Sequence, residues 1–130
     1  MSSFTARYRV TRADLVRYAG ASGDFNPIHY SDRIATQMGL PGVIAHGMLT
    51  MALAARAVSD WAGGPDRVAS LSVRFTSMVV VPDDAGVDVV VTGEVGGPDE
   101  EGLRPVTLTA TCGDEAVLGK ALATVHDGAR

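Results

Sequence analysis

A chain of 130 residues, 46% hydrophobic and 20% charged, has room for one ordinary domain with its own core and too little for two. Its single cysteine, Cys112, cannot close an internal disulfide, which fits a reducing, cytoplasmic setting, and no apolar run reads as a secretory leader or a membrane span. A net charge of −4 argues against a bulk polyanion such as nucleic acid, although residues 1–80 carry eight basic and five acidic groups and residues 81–130 three and ten.

In chain order, Phe4, Ala6, Tyr8 and Val10 alternate and predict an opening edge strand over residues 4–10. Thr11, with Asp14 three positions on, has capping-box form, and Leu15, Val16, Tyr18 and Ala19 predict the apolar face of a helix through about Gly20. Residues 22–30 break all periodicity. Ser31 or Asp32 is placed to cap a short helix ending at Gly39, and Pro41-Gly42 marks a turn. From about His46 to Trp61 the chain reads as a helix that is apolar nearly all round, which predicts burial on most sides. Gly63-Gly64-Pro65 ends it.

Four segments rich in Val and Thr follow, near 67–80, 86–96, 103–113 and 116–126, with Gly, Pro and Asp turn signals between them. Leu71, Val73 and Phe75, and likewise Val106, Leu108 and Ala110, alternate so as to face a core. Short turns between consecutive strands imply antiparallel pairing. The expected architecture is α+β: about five antiparallel strands wrapped around one long apolar helix, in a single domain over residues 1–130.

The stretch that breaks periodicity is the one with chemistry in it. Asp24 and His29 stand five apart, and a bent loop brings an acid and an imidazole to one point. Gly23 permits the bend, and Pro27 keeps Asn26 extended. On spacing alone the same residues read first as a turn in which Asp24 caps the next segment and His29 is a satisfied half-buried side chain. Ala45-His46-Gly47 opens the apolar helix, whose first N–H groups lack partners, and Gly47 would let an oxygen approach closely. His46 reads as structural beside that point, and Met48 and Met51 as core or tunnel lining. His126, at a strand end, reads as exposed. The three histidines and one cysteine have no metal-ligand spacing, and no serine has the context of a covalent nucleophile.

The run Ser22-Gly23-Asp24-Phe25-Asn26-Pro27-Ile28-His29, five residues and then Ala35 resembles the signature of MaoC-like (R)-specific enoyl hydratases and 3-hydroxyacyl-thioester dehydratases. Tyr18 to His29, Ala45-His46-Gly47-Met48-Leu49-Thr50-Met51 and Val73-Arg74-Phe75-Thr76 are most similar to the B-type subunit of actinobacterial (3R)-hydroxyacyl-ACP dehydratases. Ala21 departs from the pattern, which more often has a larger aliphatic there, and a short amino-terminal segment predicts an abbreviated first strand.

The resemblance implies a hot-dog fold and the reversible hydration of trans-2-enoyl thioesters, carried by CoA or ACP, to their (3R)-3-hydroxyacyl counterparts. Asp24 and His29 would be the acid–base pair and the Gly47 N–H the donor to the thioester oxygen. Ser22, Gly23, Asn26, His46 and Met48 would shape the loop or touch substrate, with no metal and no cofactor. The open sheet edges, and the resemblance, imply a homodimer, or a heterodimer with an accessory hot-dog subunit.

Overall fold

Five strands arise where the Val- and Thr-rich alternation lies: β1 (Ser2–Val10), β2 (Val68–Phe75), β3 (Val87–Val95), β4 (Leu103–Cys112) and β5 (Glu115–His126). They pair antiparallel throughout in one sheet of order β1-β3-β4-β5-β2, in a computed structural model that describes residues 2–127. Both β1 and β2 are edges. The first strand is not abbreviated: its nine residues pair along their whole length with β3, from Ser2 opposite Val95 to Val10 opposite Val87. β2 is shorter than its apolar pattern: beyond Thr76, whose N–H still donates to Val117 of β5, the chain leaves the sheet, and Val80 forms a lone antiparallel bridge with Ile44.

Three α-helices stand between β1 and β2: α1 (Arg12–Ser22), α2 (Asp32–Gln37) and α3 (Gly47–Ala62). Thr11 and Asp14 close the capping box at the start of α1, and Ser31 caps α2 by accepting from the Ile34 N–H. α1 runs two residues beyond Gly20, until Gly23, left-handed at φ 75°, ends it by donating to the Ala19 carbonyl. Leu15 and Ala19 are its buried residues, whereas Val16, expected on the same face, is 59% exposed.

The core lies between α3 and the concave face of the sheet. Ala54, Ala57, Val58 and Ala62 pack against Val89, Val91, Val106, Ala110 and Val125, all buried. Burying a valine-sized side chain contributes about 1.5–3 kcal/mol, and the alanines of α3 let the sheet approach closely. A glycine in the middle of β3 has a packing reason. The Phe4 ring, opposite Gly93 in register, occupies the space where a Cβ would stand and stacks on Trp61 with ring centroids 5.3 Å apart.

α3 is not buried all round. Thr50, Ala54, Ala57, Val58 and Ala62 face the core, but Met48 is 58% exposed and Ala52 is also open, leaving a second apolar stripe uncovered. Among the described residues no helix is long and apolar enough to cross a membrane.

Candidate active site

The loop after α1 is built by short-range hydrogen bonds. Asp24 Oδ1 accepts from the Asn26 N–H (3.2 Å), Asn26 Oδ1 accepts from the Ile28 N–H (3.3 Å), and Ser22 Oγ accepts from the Asp24 N–H (3.2 Å). Asn26 thereby caps a 3-10 turn over Pro27–His29, with the proline at its first position, where its missing N–H costs nothing. The side chain of Asn26 supports the turn that carries His29, and its main chain orients the Asp24 carboxylate. Gly23 supplies the left-handed residue at the bend.

His29 is 7% exposed and aimed by a backbone partner: its Nδ1 lies 2.8 Å from the Ile44 carbonyl oxygen. A carbonyl only accepts, so Nδ1 carries a proton, and in the neutral ring Nε2 is the nitrogen with the lone pair. Nε2 faces Asp24 Oδ2 at 3.8 Å, too far for a direct hydrogen bond and near enough for both to hold one oxygen between them. The Asp24 side chain is 53% exposed, whereas that of His29 is 9% exposed, so the pair has a wet member and a dry one.

The segment bearing Ile44 is held from both sides. Ile44 donates to the Ile28 carbonyl, Ala45 to that of Val79, and Val81 to that of Val43. Asp32 ties the same region together: it accepts from both Arg12 (2.8 Å) and the Val43 N–H (3.2 Å), and the Arg12 guanidinium also reaches the Val81 carbonyl. The Arg12 hydrogen bond, with that from Val43, holds the Asp32 carboxyl below the usual carboxylate range.

Gly47 is the first residue of α3, so its N–H has no carbonyl of its own helix to reach and sits at the positive end of the helix dipole. It lines a cavity of about 240 Å³ together with His29, Ala45, Thr50, Phe75 and Val79. The Phe75 ring packs flat on Gly47: a Cβ there would stand 3.3 Å from it. Phe75 is therefore 54% exposed and a wall of the cavity, not the core residue its alternation implied. Nothing in the β-strand pattern separates the two roles, because they differ only in what the ring meets across the fold.

His46, at the N-cap position, is 2% exposed and makes no capping bond. Its ring stacks on His29 with centroids 3.7 Å apart and planes 21° apart, and Tyr18 packs T-shaped against it with centroids 4.8 Å apart. Asp24, His29 and His46 thus offer donor atoms within 4.8 Å of one another, a grouping the linear spacing did not contain. Nearly parallel imidazole planes do not direct their in-plane lone pairs at one ion, so this is poor geometry for a metal. Met48 points outward on α3 and does not line the cavity with His29. His126 is exposed at the end of β5.

Residues 2–111 match the family model described as MaoC like domain. The chain is 33% identical over 118 residues to a 3-hydroxybutyryl-CoA dehydratase of Methylorubrum extorquens, covering 89% of this chain and 73% of that protein. It is 44% identical over 81 residues to 3-hydroxyacyl-thioester dehydratase X of Mycobacterium tuberculosis, covering 62% of this chain but 28% of that one. A solved MaoC-like dehydratase superposes with a TM-score of 0.93 at 37% identity, covering 98% of this chain and 40% of that chain. The chain therefore spans well under half the length of two of the proteins it matches. With the wrapped helix, the antiparallel sheet and the family match over residues 2–111, the chain belongs to the MaoC-like dehydratase family and has its hot-dog fold.

Proposed function

We propose that this chain is a hydro-lyase that interconverts trans-2-enoyl and (3R)-3-hydroxyacyl thioesters of CoA or ACP. One observation carries the reading: His29 Nε2 and the Asp24 carboxylate face each other at 3.8 Å, on a loop beside the unpaired N–H that opens α3. In hydration, Asp24 and His29 hold a water, and one proton leaves it for the pair as its oxygen bonds to Cβ. One proton is delivered to Cα, so the pair ends as it began; dehydration reverses each transfer. Negative charge gathers on the thioester oxygen in between, where the Gly47 N–H and the helix dipole stabilise it. Ser22, Gly23 and Asn26 keep the acid in place.

The same reading takes residues 1–130 as one hot-dog domain in the cytoplasm, which the lone cysteine supports. It also includes a homodimer, supported by the free edge of β2 and the uncovered stripe of α3. A heterodimer with an accessory hot-dog subunit is the other outcome of a mass measurement.

Incubation of the purified protein with crotonyl-CoA tests the chemistry. Loss of the enoyl absorbance with formation of the (3R)-3-hydroxy product is expected. Release of free thiol would instead make the protein a thioesterase, and neither signal, on CoA or ACP thioesters, would leave it a non-catalytic acyl-binding subunit.

A further inference from the structure

The hydration reading leaves a buried histidine without a task, and the geometry around it is specific. We infer that His46 is a positioning residue for that reaction: its imidazole ties the Asp24 main chain to the start of α3 and backs the ring of His29. This rests on the proposed hydration chemistry and adds to it the part that sets the distance between acid and base.

The Nε2 of His46 lies 3.1 Å from the Asp24 carbonyl oxygen, across 22 residues of sequence. That oxygen can only accept, so Nε2 carries a proton, and Nδ1 is left buried with no hydrogen-bond partner. A side chain kept only for packing would not leave an unpaired polar atom in the interior, since that costs stability and a phenyl ring would fill the same space. Nor is His46 kept to cap α3, because its side chain makes no capping bond at a position where Ser, Thr or Asp would. What the imidazole contributes is one donated hydrogen bond and one flat face.

Both act on the catalytic pair. Among the described residues, every other hydrogen bond to residues 22–26 that fixes Asp24 comes from within the turn or its neighbours in sequence, so the Nε2–H bond is the long-range tether of that main chain to α3. His29 is held edge-on by the Ile44 carbonyl, which leaves its ring free to pivot about that bond. The face of His46 at 3.7 Å blocks the pivot, with Tyr18 packed against His46 in turn. Loss of the tether moves Asp24 relative to Nε2 of His29 without touching the cavity wall. A shift of about 1 Å in such a pair is enough to cost about 10²-fold in rate.

Two variants separate the donor from the face. His46→Phe keeps a ring against His29 and loses the N–H; His46→Gln keeps an N–H of similar reach and loses the ring. For hydration of crotonyl-CoA by the intact chain, His46→Phe is expected to lower kcat about 10²-fold with KM within about twofold, and His46→Gln, which keeps the tether and loses only the backing face, to lose clearly less. The backbone amide signals of residues 23–26 are expected to shift in His46→Phe and to stay near the wild-type positions in His46→Gln. A His46→Phe protein with wild-type melting and kcat within about threefold of wild type would overturn the proposal. So would a loss in His46→Gln as large as in His46→Phe, since the donated hydrogen bond would then contribute nothing of its own. Should the wild-type chain hydrate no thioester, the hydration reading fails on its own, and unmoved 23–26 amides in His46→Phe would still sink the tether.

Discussion

At the scale of single residues, Asp24 and His29 differ in how safely they can be tested. Asp24 is half exposed, and its Oδ1 serves the Asn26 N–H equally well as an amide oxygen, so Asp24→Asn is expected to fold with an unchanged melting temperature. Its kcat for enoyl hydration should fall about 10²–10⁴-fold, the usual worth of a positioned acid–base group. Near-wild-type turnover would remove the acid from the mechanism. His29→Ala is expected to lose activity too, and also some stability, because it strands the Ile44 carbonyl and opens a gap beside His46. The pair was legible in sequence because Gly23, Asn26 and Pro27 announce the bend between its members. The carbonyl that sets the His29 tautomer was not, since every residue has one and only the fold says which is near.

At the scale of elements, the connections around Asp32 make a prediction with a sign. One carboxylate joins α1, through Arg12, to the segment that leads into α3, through the Val43 N–H. Its pKa is lowered in the folded chain, so its contribution to stability is full above the ordinary carboxylate pKa and is lost as pH falls through the lowered value. Asp32→Asn should therefore melt below the wild type at neutral pH, with the gap closing on acidification past the ordinary carboxylate range. Since the group is exposed, added salt should narrow the gap as well. Thermal melts of both proteins over pH and salt check this, and a gap that persists unchanged in acid would refute it.

The turn into β3 is sterically closed to any side chain at Gly86. Gly86 has φ 68°, and a Cβ there would stand 2.6 Å from the Val10 carbonyl oxygen, a backbone atom that cannot step aside. Gly86→Ala should cost more than about 1 kcal/mol in denaturant unfolding, whereas an alanine that stabilised the chain would show the turn to be remodelled. The glycine was visible as a turn signal. That it also lies against β1 was not, because the contact spans 76 residues.

At the scale of the whole molecule, the uncovered stripe of α3 is the largest departure from what composition implied. A helix this apolar was expected to be enclosed, yet one sheet covers only one side of it. The proposed homodimer accounts for the other side. Ala52 is exposed in the single chain, so Ala52→Glu should leave the fold intact while placing a charge in the buried seam of the dimer. Light scattering is expected to show a dimer for the wild type and a monomer for the variant; a monomeric, fully active wild type would defeat the dimer.

By itself the sequence determined whatever rests on neighbours in the chain. The Thr11–Asp14 box, the Ser31 cap, the glycine and proline breaks, the strand alternation and the Asp24–His29 loop are all set by residues within a few positions of one another. Tertiary structure alone decided what depends on distant partners: the strand order β1-β3-β4-β5-β2, Phe75 lying on Gly47, Val16 facing outward and His46 stacked on His29. The reason is physical. A cap or a turn is a bond whose partners covalent geometry already brings near, whereas a stacked ring or a cavity wall exists only once burial of the core has chosen which faces meet.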